Sequence, residues 1–188
     1  MPSPPPPSEA PADTPPSSPR FRRWRRYAIE AAIFIAVLFA IQAWQARDVP
    51  AGPAPDFEAA LADGSHSSLA AWRATHDGKV TVLYFWADWC PICKAQEGSI
   101  ESLRQDWPVL TVAMQSGDTP AVAKVLATRE LDWQTAIDND GRIAASYGLR
   151  GVPAFVVIAS DGSIRSVAVG YTTEASMRLR LWWARLTS

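Results

Sequence analysis

Val80-Thr81-Val82-Leu83-Tyr84-Phe85-Trp86, then Ala87-Asp88-Trp89, then Cys90-Pro91-Ile92-Cys93-Lys94 is the stretch that decides the fold. The first seven residues are apolar, β-branched or aromatic without a break, as expected of a strand buried on both faces. Lys94 opens a helical pattern. Two cysteines separated by two residues therefore fall at the join of a buried strand and a helix, the arrangement that thiol–disulfide exchange needs. The first sulfur lies at the helix N-terminus, where unpaired N–H groups and the macrodipole stabilise a thiolate. The second lies one turn along. These are the only two cysteines in the chain, and bridging so short a loop adds almost nothing to stability. The pair reads as chemical rather than structural.

Working outward towards the N-terminus, the chain has 188 residues and a net charge of −1, enough for one domain with extensions. Residues 1–19 are rich in Pro, Ser and Ala with no hydrophobic period, and are expected to form a disordered cytoplasmic tail. Residues 20–26 carry five arginines and form a basic juxtamembrane segment. The apolar run 27–44 is read as a transmembrane anchor, about 18 residues spanning about 27 Å as a helix. Tyr27 and Trp44 stand at its ends, where interfacial aromatics belong, and Glu30 lies within a turn of the arginines. The arginines precede the span, so the positive-inside rule puts the N-terminus in the cytoplasm. The rest then lies in the periplasm, on a single-pass protein of the bacterial inner membrane. A cleaved signal peptide is the rival, but Trp44 and Ile41 stand where a small-x-small site needs small residues. Residues 45–55 read as a linker.

From Asp56 to Ser188 the chain has 12 basic and 15 acidic residues and no basic stripe, which argues against a nucleic-acid partner. The pattern there alternates strand and helix. Strands are expected at 79–86, 109–114, 135–138, 154–159 and 163–169. Helices are expected at 91–107, 120–128, 141–147 and 173–186, with Thr172 or Thr173 capping the last. Ile92, Gln96, Ile100, Leu103 and Trp107 recur at helical spacing, and Gly98-Ser99 offers a bend. Ser160-Asp161-Gly162 is a hairpin signal. The order implies an α/β fold, a mixed central sheet with helices on both faces.

This organisation resembles the thioredoxin fold over Asp56–Leu186. The residues that carry the resemblance are Phe85-Trp86-Ala87-Asp88-Trp89-Cys90-Pro91-Ile92-Cys93-Lys94 and the distant Gly151-Val152-Pro153-Ala154-Phe155. With the N-terminal anchor, the stretch Asp138-x-x-Gly141-x-x-Ala144-x-x-Tyr147-Gly148 is most similar to the membrane-tethered TlpA/ResA group. Within it the suppressor-of-copper-sensitivity protein D branch is nearest. The resemblance implies that Cys90 is the exposed nucleophile and Cys93 the resolving thiol of a redox-active disulfide. It implies a cis peptide bond at Pro153, with the Val152 backbone binding the substrate chain. Trp89 would shield one side of the site and Trp86 would pack beneath it. The sequence departs from the pattern in three places. Tyr84 and Gln96 stand where such proteins carry acids, and Gly98 replaces a helix proline. Glu97 is left as a candidate proton acceptor for Cys93, against the reading that it is a solvated helix glutamate.

One Cys-x-x-Cys supplies two of the four ligands of a structural zinc site, and His66 and His76 form no ligand pair. Two thiolates could hold copper(I). Trp86-Ala87-Asp88-Trp89 offers neither the Pro nor the Thr that thioredoxin-fold peroxidases place before the reactive cysteine. Trp182-Trp183 is expected to pack the last helix onto the sheet, and Asp118 is assigned nothing. The expected function is a membrane-tethered thiol–disulfide oxidoreductase needing no cofactor or metal. Its partners would be the thiols or disulfides of exported proteins and a membrane electron donor. The alternatives are a copper(I)- or partner-binding thiol module and a dithiol oxidase. Pro91-Ile92 gives the Cys90 sulfur no charge and no side-chain donor, which favours the reductase direction.

Overall fold

The computed structural model describes Met1, residues 24–34, 36 and 37, residues 52–76 and residues 78–187. The chain divides into two units, Met1–Ala40 and Ile41–Ser188. In the first, α1 is helical at 24–34, 36 and 37. Among the described residues no helix is long and apolar enough to cross a membrane. The expected span 27–44 includes residues 35 and 38–44, which lie outside the described residues. The expected tail, apart from Met1, lies outside them too.

The second unit is built on a five-stranded sheet. Its strands, in chain order, are β3 (Thr81–Trp86), β4 (Val109–Met114), β5 (Thr135–Asp138), β6 (Ala154–Ile158) and β7 (Ile164–Val169), in the spatial order β5-β4-β3-β6-β7. Central β3 pairs parallel with β4 and antiparallel with β6, so the sheet is mixed, as the pattern implied. The pleat sends alternate residues of β3 to opposite faces. Val82, Tyr84 and Trp86 enter one core layer, with residues of α3 (Pro91–Arg104), α4 (Thr119–Thr128) and α6 (Glu174–Leu186). Leu83 and Phe85 enter the other, with α2 (Leu69–Ala74) and α5 (Arg142–Ser146). Both faces are covered, which is why β3 reads as a continuous apolar run.

Three elements between Asp56 and Gly78 lack an expectation in the sequence: β1 (Glu58–Ala60), β2 (His66–Ser68) and α2. Two strands of three residues and a helix of six are too short to show a period. They are placed by long-range contacts, including the Ala62 N–H to the Thr135 carbonyl at 2.8 Å and Trp72 Nε1–H to Gln134 Oε1 at 2.6 Å. Residues 53 and 54 run along the β6–β7 hairpin, where Pro53 bridges Ser163 and the Ala54 N–H donates to Gly162.

Several boundaries and faces differ from expectation. α3 ends at Arg104, because the Asp106 and Trp107 N–H groups both turn back to the Leu103 carbonyl. Ile92 is 47% exposed, and the buried stripe of α3 is Cys93, Gln96, Ile100 and Leu103. Asp118, assigned nothing from sequence, is the N-cap of α4 and accepts the Ala121 N–H at 3.1 Å. Thr173 caps α6. Trp182 and Trp183 do not pack on the sheet; they are 53% and 61% exposed. Met177, Leu181 and Ala184 form the inner stripe of α6, and a rotation of about 100° per residue carries the two tryptophans to the outer side.

Candidate active site

The strand–turn–helix join puts Cys90 at the N-cap of α3, in extended backbone, with Pro91 in the first turn. Cys90 and Cys93 form a disulfide with their Cα atoms 5.3 Å apart. The Cys93 backbone N–H donates to Cys90 Sγ at 3.1 Å, so a sulfur fills the place of a capping oxygen. That contact favours negative charge on Cys90 when the bridge opens. Cys90 is not the exposed member of the pair. It is 4% exposed against 2% for Cys93. The Val152 carbonyl oxygen lies 3.8 Å from Cys90 Sγ. In the disulfide that sulfur carries no proton, so the approach is a packing contact. The two cysteines differ in what they bond to, not in how much water reaches them.

Loops from two other elements complete the rim. The Val152–Pro153 bond is cis, and Pro153 is buried at the start of β6. Trp89 is 58% exposed, held by its Nε1–H, which donates to the Gln115 carbonyl at 3.1 Å. The Asp88 N–H donates to Ser116 Oγ at 3.0 Å, and that hydroxyl donates to the Met114 carbonyl at 3.0 Å. The turn after β4 thus holds the residues before Cys90. Ser116 and Gln115 carried no signal in the sequence, because only the β3–β4 pairing brings them there. Exposed Trp89 and Ile92, with half-buried Val152, give the disulfide an apolar surround.

Beneath the disulfide, Trp86 is buried edge-on against Trp133, with ring centroids 5.7 Å apart. Tyr84 meets Trp133 in the same way at 6.0 Å. Burial pushes the Tyr84 phenol far above its ordinary range, and the nearby Glu97 charge pushes it further. Gln96 is buried, and its Nε2–H donates to the Thr172 carbonyl at 2.7 Å. Tyr84 Oη, Trp86 Nε1 and Gln96 Oε1 are buried without a hydrogen-bond partner among the described residues. Tyr84 and Gln96, at the two positions where the resemblance implies acids, therefore place neutral polar groups in the core.

Glu97 is not a solvated glutamate. Arg129 Nη1–H donates to its Oε1 at 2.7 Å, and each side chain is only 18% exposed. Arg129 had no expectation attached to it, since it is distant in sequence from the cysteines. Among the described residues no group of three or more His, Cys, Asp and Glu could hold a metal ion. His66 is exposed on β2, and the His76 ring lies tilted against Trp72, centroids 4.4 Å apart, beyond the end of α2.

A family model described as the AhpC/TSA family matches residues 50–167. The chain belongs to the AhpC/TSA family. A thioredoxin-like protein of Haemophilus influenzae is 31% identical over 56% of this chain, and the match spans 64% of that protein's length. The thiol:disulfide interchange protein DsbE of Allochromatium vinosum is 26% identical over 78% of this chain and 84% of its own. Among solved structures, a secreted Mycobacterium tuberculosis disulfide oxidoreductase superposes with a TM-score of 0.55. That structure is 25% identical, covering 68% of this chain and 95% of that one. With these relatives and the paired cysteines, this AhpC/TSA family member is a thioredoxin-like disulfide oxidoreductase.

Proposed function

We propose that this chain is a membrane-tethered reductase of disulfides in exported proteins, acting through Cys90 and Cys93. The observation that carries the reading is the Cys93 N–H donating to Cys90 Sγ at the mouth of α3, 3.8 Å from the Val152 carbonyl. The helix terminus stabilises a Cys90 thiolate, and that thiolate attacks one sulfur of a target disulfide. The target S–S bond breaks, its leaving sulfur takes a proton, and Cys90 is joined to the target. Cys93 then loses its proton and attacks Cys90 Sγ. The second target sulfur leaves as a thiol and Cys90–Cys93 is oxidised, two electrons and two protons having passed to the target. Trp89 and Val152 offer an apolar edge to an extended substrate chain beside Pro153.

The tether rests on the arginines before the apolar run 27–44, and the periplasmic location follows from their side. The same anchor, together with the stretch Asp138-x-x-Gly141-x-x-Ala144-x-x-Tyr147-Gly148, favours the suppressor-of-copper-sensitivity protein D branch. The reductase direction rests on Pro91-Ile92, which adds no charge beside Cys90 and leaves the helix N–H groups as its stabilisers. A potential towards the roughly −270 mV of thioredoxin, rather than the roughly −120 mV of a strong oxidant, is expected. In an oxidising compartment a membrane donor must then return two electrons to the pair. Insulin reduction with dithiothreitol, equilibration in glutathione buffers and protease treatment of spheroplasts test the three parts separately. A potential near that of the strong oxidant would make the protein a dithiol oxidase. A mature N-terminus near Arg47 would remove the tether.

A further inference from the structure

The outer side of α6 carries an unpartnered apolar stripe. Leu179, Trp182, Trp183 and Leu186 follow one another at i, i+3, i+4 and i+7, and are 63%, 53%, 61% and 59% exposed. That spacing places all four on one side of the helix. The stripe has a basic cleft on each flank. On one side a groove of about 340 Å³ runs between α6 and the edge strand β7, lined by Arg165, Ser166, Leu179, Arg180 and Trp183. On the other, a cleft of about 670 Å³ is lined in part by Lys79, Asp106, Arg178 and Arg185. The acids on this side are already engaged. Asp106 and Glu174 accept from Arg178, each at 2.7 Å, and Asp161 accepts from Arg165 at 3.3 Å. Lys79, Arg180 and Arg185 have no acidic partner among the described residues. Arg180 donates to the hydroxyls of Ser166 and Ser176.

We infer that this face of α6 docks on a bilayer surface carrying anionic phospholipid, an inference that rests on the tethered reading above. Tryptophan and leucine on one helix side, flanked by arginines, suit the headgroup boundary. The rings sit among glycerol and upper acyl chain, and the guanidinium groups meet phosphate. Charge complementarity selects the occupant. A second copy laid stripe to stripe would set Arg180 and Arg185 of each chain against those of the other, since a two-fold interface is self-complementary. An anionic surface meets both basic flanks at once. Tether length permits the contact: the chain is pinned to the domain from Pro53 onward, and a free linker over 45–52 spans at most about 29 Å when extended.

Docking here leaves the redox site free. Cys90 caps the N-terminus of α3, whereas Arg178 of α6 reaches Ser102 and Asp106 at its other end. The fourteen residues of α3 separate those ends by about 20 Å. The disulfide would therefore face the exported proteins rather than the lipid.

The test uses the full chain reconstituted in phosphatidylcholine vesicles with and without phosphatidylglycerol. Hydrogen exchange of α6 and tryptophan quenching by brominated acyl chains are the readouts. Exchange over residues 178–187 should slow about tenfold or more when the anionic lipid is present. Trp182→Ser with Trp183→Ser should lose the lipid-dependent quenching. Arg180→Gln with Arg185→Gln should lose the dependence on phosphatidylglycerol while keeping the rate of insulin reduction. A carbonate-resistant protein whose α6 exchanges alike in both vesicles overturns the docking and leaves the tether standing. Failure to float with vesicles at all overturns both. Protection of α6 that rises with protein concentration in the absence of phosphatidylglycerol assigns the face to a second copy and overturns the lipid contact.

Discussion

Arg129 and Glu97 join the end of α4 to the second turn of α3 through a 2.7 Å hydrogen-bonded ion pair. The same guanidinium donates through Nη2 to the Asp88 carbonyl at 2.9 Å and lies 5.8 Å from the Trp86 ring centroid. One side chain thus touches the loop before Cys90, the helix after Cys93 and the aromatic layer beneath both. The carboxylate nearest the redox pair along α3 is thereby held by a cation.

Arg129→Gln should therefore destabilise the domain by about 1–3 kcal/mol, below the range for a fully buried pair because some water reaches both side chains. Glu97→Gln should cost less, since Arg129 keeps its bond to Asp88. Arg129→Lys should not restore stability, because a single ammonium cannot meet Glu97, Asp88 and the Trp86 face together. Urea unfolding of the single and double variants, taken as a cycle, measures the coupling. Strict additivity would show that the pair is decorative.

The two fully buried tyrosines should respond oppositely to loss of their hydroxyls. Tyr84 Oη has no partner among the described residues, so Tyr84→Phe should be neutral or stabilise by about 1 kcal/mol. Tyr147 Oη–H donates to the Pro55 carbonyl at 2.7 Å, so Tyr147→Phe should cost about 1–2 kcal/mol. Burial raises both phenols, aided by the Glu97 charge at Tyr84 and the Asp56 charge at Tyr147. A folded state that holds these protons more tightly loses stability as pH rises above the unfolded value of about 10. Urea midpoints measured up to about pH 11 should fall steeply in the parent and less so in the double Phe variant. A large loss of stability in Tyr84→Phe would mean that the hydroxyl has a partner after all.

Asp138 explains a stretch that was legible only as a pattern. It is 2% exposed, and its two carboxylate oxygens accept the Ile143 and Ala144 N–H groups, each at 2.9 Å. Gly141, at φ +76°, makes the turn that brings those amides to it. Asp138→Ala should cost about 2–3 kcal/mol by leaving buried amides unpaired, and Asp138→Asn should cost less by keeping one acceptor. Thermal unfolding of both variants checks the ranking. Equal losses would show that charge, not acceptor geometry, holds the start of α5.

The thiols should differ in reactivity although both are covered. In the disulfide Cys90 Sγ accepts the Cys93 N–H at the helix terminus, a contact that would favour its thiolate after reduction, and no comparable donor is aimed at Cys93 among the described residues. At mildly acidic pH an alkylating reagent should label Cys90 first, as read by mass spectrometry of the reduced protein. Faster labelling of Cys93 would reverse the proposed roles.

Long, double-sided apolar runs made β3 and β6 readable, and a clear period did the same for α3 and α6. The region 56–78 had neither, because its short strands and helix are stabilised by partners such as Thr135 and Gln134 from β5 and the residue before it. Trp182 and Trp183 misled because an aromatic pair suggests burial, whereas helix rotation about Leu181 turns both outward.

The sequence alone determined the strand–Cys-x-x-Cys–helix join, the mixed sheet and the chemistry of the pair. Each of these follows from local periodicity and from residue types adjacent along the chain. Tertiary structure alone decided that Cys90 is covered, that Glu97 is held by Arg129, and that Ser116 and Gln115 steady the loop before the disulfide. Those relationships join residues from 26 to 62 positions apart. No local pattern encodes them, because strand pairing and helix packing bring such residues together only when the whole sheet has formed.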